Sequence, residues 1–169
     1  PRGSGGALLD ALPDLRDCFV VFYGDTVFDV DLDLICSTHD ERQADISLLI
    51  HPNDHPHDSD LVELDLDAWV TAFHSYPHPD GRFLRNFVNG ALYVVNKAAF
   101  SSYTNNLDKE FDLAKDVFPE LLKHNCRILG IASREYIKDV GTPERLSKVE
   151  ADLKSGRVER LKMSNPCEA

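Results

Sequence analysis

Apolar residues fall along this chain in short runs that alternate with helical stripes. Residues 7–15 carry Leu8, Leu12 and Leu15 at helical spacing, directly after the glycine-rich Gly3-Ser4-Gly5-Gly6. Phe19-Val20-Val21-Phe22 is a continuous apolar run, the pattern of a strand covered on both faces, as in a parallel sheet flanked by helices. The pattern predicts a helix over 30–41 with Leu32, Ile35 and Cys36 inward, then a strand over 45–50. A polar, proline-broken loop follows over 51–60. Residues 61–67 alternate as a half-exposed strand does, with 69–73 as a pairing partner in which Trp69, Phe73 and the later Tyr76 supply packing.

Pro77-His78-Pro79-Asp80-Gly81 has the composition of a turn. Residues 88–95 read as a strand interrupted at Asn89-Gly90, where a glycine suggests close approach by a ligand or a strand bulge. Asp112 can cap a helix with the stripe Leu113, Val117, Leu121 and Leu122, and 127–132 returns as a strand. Thr142 as N-cap, Pro143 at the first helical position and Glu144 beside the positive dipole end open a last helix, with Leu146, Val149 and Leu153 inward. Strands alternating with helices, plus one hairpin-like insertion, predict an α/β domain over 1–162 with a mixed, mostly parallel sheet, and a linker tail over 163–169.

Composition narrows the chemistry. At 169 residues, 43% apolar and 28% charged, the chain has the size and balance of one globular domain. No apolar stretch approaches the ~18 residues of a membrane span. Eighteen basic against 29 acidic residues give a net charge of -11, a field that repels nucleic acid. It also repels polyphosphates, so an enzyme acting on them here needs a divalent metal and a few well-aimed cations. Cys18, Cys36, Cys126 and Cys167 are far apart, which points to reduced thiols, and no leader-like segment is visible; both favour a cytoplasmic setting. His51, His55, His57, His74 and His78 have the irregular, proline-rich spacing of a solvent loop or substrate rim rather than a zinc site.

Two acidic residues carry the candidate chemistry. The first apolar run stops at Tyr23-Gly24 and then presents Asp25, at the strand's C-terminal end where open α/β sheets bind ligands. A carboxylate there is placed to hold a hard cation such as Mg²⁺ against a phosphate, although a strand-ending turn explains it equally. Far downstream, Asp139 again precedes a glycine, Gly141, that lets the backbone come near a ligand.

Five segments in order, Gly3-Ser4-Gly5-Gly6-Ala7-Leu8, Tyr23-Gly24-Asp25, Val88-Asn89-Gly90-Ala91-Leu92-Tyr93, the run from Asp112 to Pro119, and the run from Ile137 to Glu144, resemble the sugar-1-phosphate nucleotidyltransferases. The segment from His51 to Asp60 is similar to the mannose- and heptose-1-phosphate guanylyltransferase branch, some members of which are fused to a haloacid-dehalogenase-like phosphatase. The resemblance implies a Rossmann-like nucleotide-diphospho-sugar transferase fold and transfer of a nucleotidyl group, guanylyl by preference, to a mannose- or heptose-type 1-phosphate with release of pyrophosphate. It implies Asp25 and Asp139 as catalytic Mg²⁺ ligands and Gly5, Gly6, Tyr23 and Gly24 on the nucleotide side. Asn89, Gly90, Gly141 and Thr142 fall on the sugar side, and Lys115 becomes a phosphate-facing cation.

Residue chemistry leaves blander roles beside these: Gly5-Gly6 also fits a flexible start or a tag-linker remnant, and Lys115 a solvated helix face. The family's first strand and Gly-rich loop have no counterpart here, which exposes a sheet edge and favours a homodimer. The usual Glu-Lys-Pro motif corresponds to Ser75-Tyr76-Pro77, so the phosphate lysine is replaced by a tyrosine. These departures support an alternative, a catalytically impaired sugar-nucleotide-binding or scaffolding domain.

Overall fold

The computed structural model describes residues 2–53, 56–78, 82–101, 103 and 110–158. Parts of the histidine-bearing loop, of the Pro77-to-Gly81 turn and the whole tail fall outside this set.

At the centre lies β3 (Ile46–His51), flanked by β6 (Val88–Asn96) antiparallel and β7 (Ile128–Ala132) parallel. Its residues Ile46, Leu48, Leu49 and Ile50 are all 0% exposed. Alternate side chains feed two cores. Ile46, Leu48 and Ile50 join Tyr93, Val117 and Phe118 on one face, and Leu49 joins Ile35, Leu92, Val94 and Ile137 on the other. Strands β4 (Leu61–Leu64) and β5 (Val70–His74) form an antiparallel hairpin attached to β6, giving the order β5-β4-β6-β3-β7. β1 (Cys18–Phe22) also pairs with β6.

The mixed α/β sheet agrees with the sequence pattern, but its balance does not. Among the described residues β3–β7 is the one parallel pair, and β1 runs antiparallel to β6 as an edge strand with Phe22 60% exposed. The doubly covered position belongs to β3. A continuous apolar run signals burial without revealing the partner's direction, and the nine-residue β6 draws both β1 and β3 antiparallel to it. A separate two-stranded ribbon, β2 (Thr26–Asp29) against β8 (Tyr136–Asp139), was not legible as a pair.

Helix α1 (Gly3–Ala11) begins at the glycines that read as a loop. The Gly5 N–H donates to the Phe111 carbonyl at 3.1 Å, and a Cβ at Gly5 would lie 2.4 Å from the Phe111 ring. Gly3 and Gly5 let α1 close on Phe111, so the segment is packed structure rather than a flexible linker. α2 (Leu32–Arg42) is capped by the Asp31 carboxylate, which accepts from the Leu34 N–H at 3.0 Å.

α3 (Phe118–Lys123) continues from a π-helical turn over Leu113–Val117 that Asp112 caps. α4 (Pro143–Lys154) starts at the expected Thr142 cap, whose Oγ1 accepts from the Arg145 N–H at 3.3 Å. Of its three expected inward residues only Val149 is buried, with Leu146 46% and Leu153 41% exposed. The helix rests on a ribbon too narrow to cover a full apolar stripe. Its second anchor is polar: the Tyr136 hydroxyl donates to Asp152 Oδ2 at 3.1 Å.

The hairpin is fastened by Trp69, whose ring lies under the guanidinium groups of Arg42 at 5.1 Å and Arg127 at 4.3 Å. Leu64 packs where a side chain on Gly130 would otherwise stand, 2.7 Å from that Cβ position.

One buried polar pair ties α2 to β3. His39 is 1% exposed, its Nδ1 lies 2.8 Å from Ser47 Oγ, and its Nε2 has no partner among the described residues. Ser47→Ala removes the remaining partner and is expected to destabilise the fold by about 1–3 kcal/mol. Adding His39→Leu removes the orphaned ring and is expected to recover most of that loss in urea unfolding; a double variant no more stable than Ser47→Ala contradicts this.

Candidate active site

A cleft of about 530 Å³ opens where the end of β1, the start of β6, the π-helical turn and the β8–α4 junction meet. Asp25 and Asp139 both line it. Their convergence comes from backbone pairing: β2 and β8 place Thr26 opposite Asp139, and the Val140 N–H donates to the Asp25 carbonyl at 2.7 Å. The sequence pattern puts Asp25 at the C-terminal end of a strand of the main sheet. Instead Asp25 stands in the turn before β2, and the separate ribbon joins it to Asp139.

Asp139 Oδ1 accepts from Arg145 Nη1 at 2.6 Å and from the Gly141 N–H at 3.3 Å. Asp25 Oδ1 accepts a long bond of 3.4 Å from Thr26 Oγ1. Among the described residues no group of three or more His, Cys, Asp or Glu forms a metal cage. A pair of hard oxygen donors on an open cleft fits Mg²⁺, which takes one or two carboxylates and fills its remaining positions with phosphate oxygens and water.

The opposite wall is built on a bulge. Leu48 pairs with Tyr93 and Ile50 with Asn89, so β6 carries extra residues between those pairs, and Ala91 takes a φ of 55° to accommodate them. A Cβ at Gly90 would lie 2.9 Å from the Leu49 carbonyl oxygen, so the close approach read at this glycine is made by β3's own backbone. Asn89 and Gly90 nonetheless line the cleft. The Asn89 amide donates to the Tyr93 hydroxyl at 2.9 Å and accepts from the Ala91 N–H at 3.1 Å, which locks its orientation. Burial pushes the Tyr93 hydroxyl well above the ordinary tyrosine range, so it stays protonated.

Tyr23 belongs to a second network. Its hydroxyl donates to Ser4 Oγ at 3.1 Å, and Ser4 Oγ donates to Asp112 Oδ2 at 2.7 Å. Asp112 Oδ1 accepts from the backbone N–H groups of Ala114 at 2.8 Å and Lys115 at 3.0 Å. Burial raises the Tyr23 pKa, partly opposed by the Ser4 bond. Lys115 lines the cleft and lies 3.4 Å from Asp60 Oδ2.

Tyr23, Asp25, Asn89, Gly90, Lys115 and Asp139 are thus brought together, while five other expected site residues border no part of the cleft. Gly5 and Gly6 are buried in α1, Gly24 sits in the open turn before Asp25, Gly141 supports Asp139, and Thr142 caps α4. Asp60, Asp112, Arg145 and Lys148 line the cleft and went unread as site residues. Asp112 was legible as a helix cap, and that cap turns out to face the cleft. Arg145 and Lys148 carried one signal, a basic pair three residues apart just after Asp139.

A profile of the nucleotidyl transferase family matches residues 4–156. The chain is 28% identical over 158 residues to mannose-1-phosphate guanylyltransferase of Mycobacterium tuberculosis, a match covering 92% of this chain and 43% of that protein. It is 30% identical over 155 residues to D-glycero-alpha-D-manno-heptose 1-phosphate guanylyltransferase of Aneurinibacillus thermoaerophilus, covering 90% and 64% respectively. The chain therefore spans less than two thirds of the length of either relative. HddC from Yersinia pseudotuberculosis, solved in complex with GMP-PN, superimposes with a TM-score of 0.71 at 23% identity over 90% of this chain and 63% of that one, a likeness of fold. No helix among the described residues is long and apolar enough to cross a membrane.

The Tyr136–Asp152 bond that holds α4 to β8 makes the site pH-sensitive from the alkaline side. Burial, reinforced by the Asp152 carboxylate, pushes the Tyr136 hydroxyl up to about 12. The unfolded chain loses this proton near pH ~10. Stability from Tyr136 is therefore complete below about pH 10 and falls as pH rises through about 12. Denaturant unfolding across this range is expected to show a steeper decline for the wild type than for Tyr136→Phe; parallel declines contradict the assignment.

Proposed function

Because this chain belongs to the nucleotidyl transferase family, we propose that its cleft joins a nucleoside triphosphate, GTP by preference, to a mannose- or heptose-type sugar 1-phosphate. The observation that carries the reading is the side-by-side placement of Asp25 and Asp139 on one cleft. The base and sugar preferences rest on the two guanylyltransferase relatives.

In the reaction, an oxygen of the sugar 1-phosphate attacks the α-phosphorus of the nucleotide, the bond from that phosphorus to the bridging oxygen breaks, and pyrophosphate leaves. Such a transfer requires alignment and stabilisation of negative charge rather than covalent participation by the protein. Asp25 and Asp139 would hold Mg²⁺, which when bound neutralises charge on the phosphates. Asn89, fixed by Tyr93 and Ala91, offers its amide to sugar hydroxyls. Tyr23 and Lys115 line the cleft, where Tyr23 would border the nucleotide and Lys115 would face a phosphate. Gly5 acts at one remove: by letting α1 approach Phe111 it helps seat Ser4 between Tyr23 and Asp112, while Gly6 makes room for the Arg2 side chain.

A second reading, a domain that binds sugar nucleotides without turnover, is favoured by one observation. Tyr76, which stands where the resembling motif has lysine, does not line the cleft and meets Asp60 through its backbone N–H at 3.0 Å.

A pyrophosphate-release assay with GTP, ATP, CTP and UTP against several sugar 1-phosphates separates the two. Turnover is expected with GTP above the others, and Asp25→Asn and Asp139→Asn are each expected to lower kcat/KM by about 10²–10³-fold. Binding of a sugar nucleotide with no turnover for any pair would establish the second reading instead.

A further inference from the structure

We propose that Arg145 and Lys148, on one face of α4, form the grip for the acceptor's phosphate, and that Arg145 is stored on Asp139 until a divalent ion takes that carboxylate. The identity of the acceptor rests on the transferase reading above; the grip and its coupling to the metal do not require turnover.

A phosphate dianion entering a protein of net charge -11 needs local cations. Lys115, Lys138, Arg145 and Lys148 line the cleft. Lys115, assigned above to a phosphate, stands on a different element, the π-helical turn, 3.4 Å from Asp60 Oδ2. Lys138 also borders a second cleft, whereas Arg145 and Lys148 border only the first of the two. Three residues apart on a helix, these two side chains share a face. Lys148 forms no ion pair among the described residues. The pair thus supplies the positive charge that the Tyr76 position cannot.

Arg145 is not free in the structure, and that is the informative point. Its Nη1 lies 2.6 Å from Asp139 Oδ1. A divalent ion held by the Asp139 carboxylate would draw on the same negative charge and repel the guanidinium bonded to it. Bound metal would therefore loosen the guanidinium from Asp139 and leave its donors, on the helix face shared with Lys148, available for a phosphate, a group it matches bidentately. Metal and phosphate accordingly favour each other through Arg145, and the coupling is reciprocal.

Isothermal titration with Mn²⁺ and with mannose 1-phosphate, in the absence of nucleotide, tests this without catalysis. Arg145→Gln is expected to bind Mn²⁺ about two- to fivefold more tightly, the scale of a partly exposed ion pair. Lys148→Met is expected to leave Mn²⁺ affinity unchanged. Both variants are expected to weaken mannose 1-phosphate binding in the presence of Mn²⁺ about tenfold or more. Arg145→Lys, which keeps the charge, is expected to retain part of the sugar-phosphate affinity that Arg145→Gln loses.

Unchanged or weaker Mn²⁺ binding in Arg145→Gln overturns the storage role. Unchanged mannose 1-phosphate binding in Lys148→Met overturns the grip. Thermal melts matching the wild type confirm that a loss is local. If pyrophosphate is released at wild-type KM by Lys148→Met, the grip falls and the transferase reading stands. If no pair turns over but the Arg145 coupling is measured, the transferase reading falls and the grip stands.

Discussion

The antiparallel register of β2 on β8 is the constraint on which the rest of the site depends. It sets Thr26 opposite Asp139 and lets the Val140 N–H close on the Asp25 carbonyl, so two acidic residues from distant parts of the chain share one cleft. A slip of one residue would turn Asp139 to the other face of the ribbon, because side chains alternate along a strand. Ile137 defends the register: it is buried with Leu49, Leu92 and Val94, and the same slip would expose it. Hydrophobic burial two residues from Asp139 thus determines where the carboxylate points.

Charge in the cleft is arranged in opposed pairs. In a strongly acidic chain, Asp139 is held against Arg145 and Asp60 against Lys115, while Asp112 is consumed by helix N–H groups and Ser4. Asp139 and Asp60 each have a cation within reach, so an ion or phosphate arriving there exchanges partners, whereas Asp25 meets only the Thr26 hydroxyl at 3.4 Å among the described residues and is the carboxylate open to a cation. Neutral, buried Tyr93 and the Asn89 amide it orients form the uncharged wall opposite, suited to hydroxyls rather than phosphates. The division of labour between the two walls follows from which residues β6 can bury at its bulge.

Much of this was legible in the chain because it is local. Thr142-Pro143-Glu144 announces the start of α4, Asp112 announces a cap, and the order of five short segments led to the family and its mixed α/β fold. What escaped was non-local. The run from Phe19 to Phe22 looks doubly covered, yet only long-range pairing reveals an edge strand, and β2 is too short to stand out until β8 is beside it. Gly90 read as room for a ligand, and the atom that needs the room is the Leu49 carbonyl. Leu146 and Leu153 follow a helical stripe, but a two-stranded ribbon has no surface to receive them. Arg145 could not be recognised as Asp139's partner from spacing alone, since the bond requires the turn at Gly141 to bring α4 back over β8.

The most direct measurement of the central claim is a double-mutant cycle on Mn²⁺ affinity with Asp25→Asn, Asp139→Asn and the two combined, each confirmed to be folded. If both carboxylates hold one ion, either single substitution removes most of the binding and the combination removes little more. Two independent, additive losses, or a site that survives either change at wild-type affinity, would mean that the carboxylates lie together without sharing an ion.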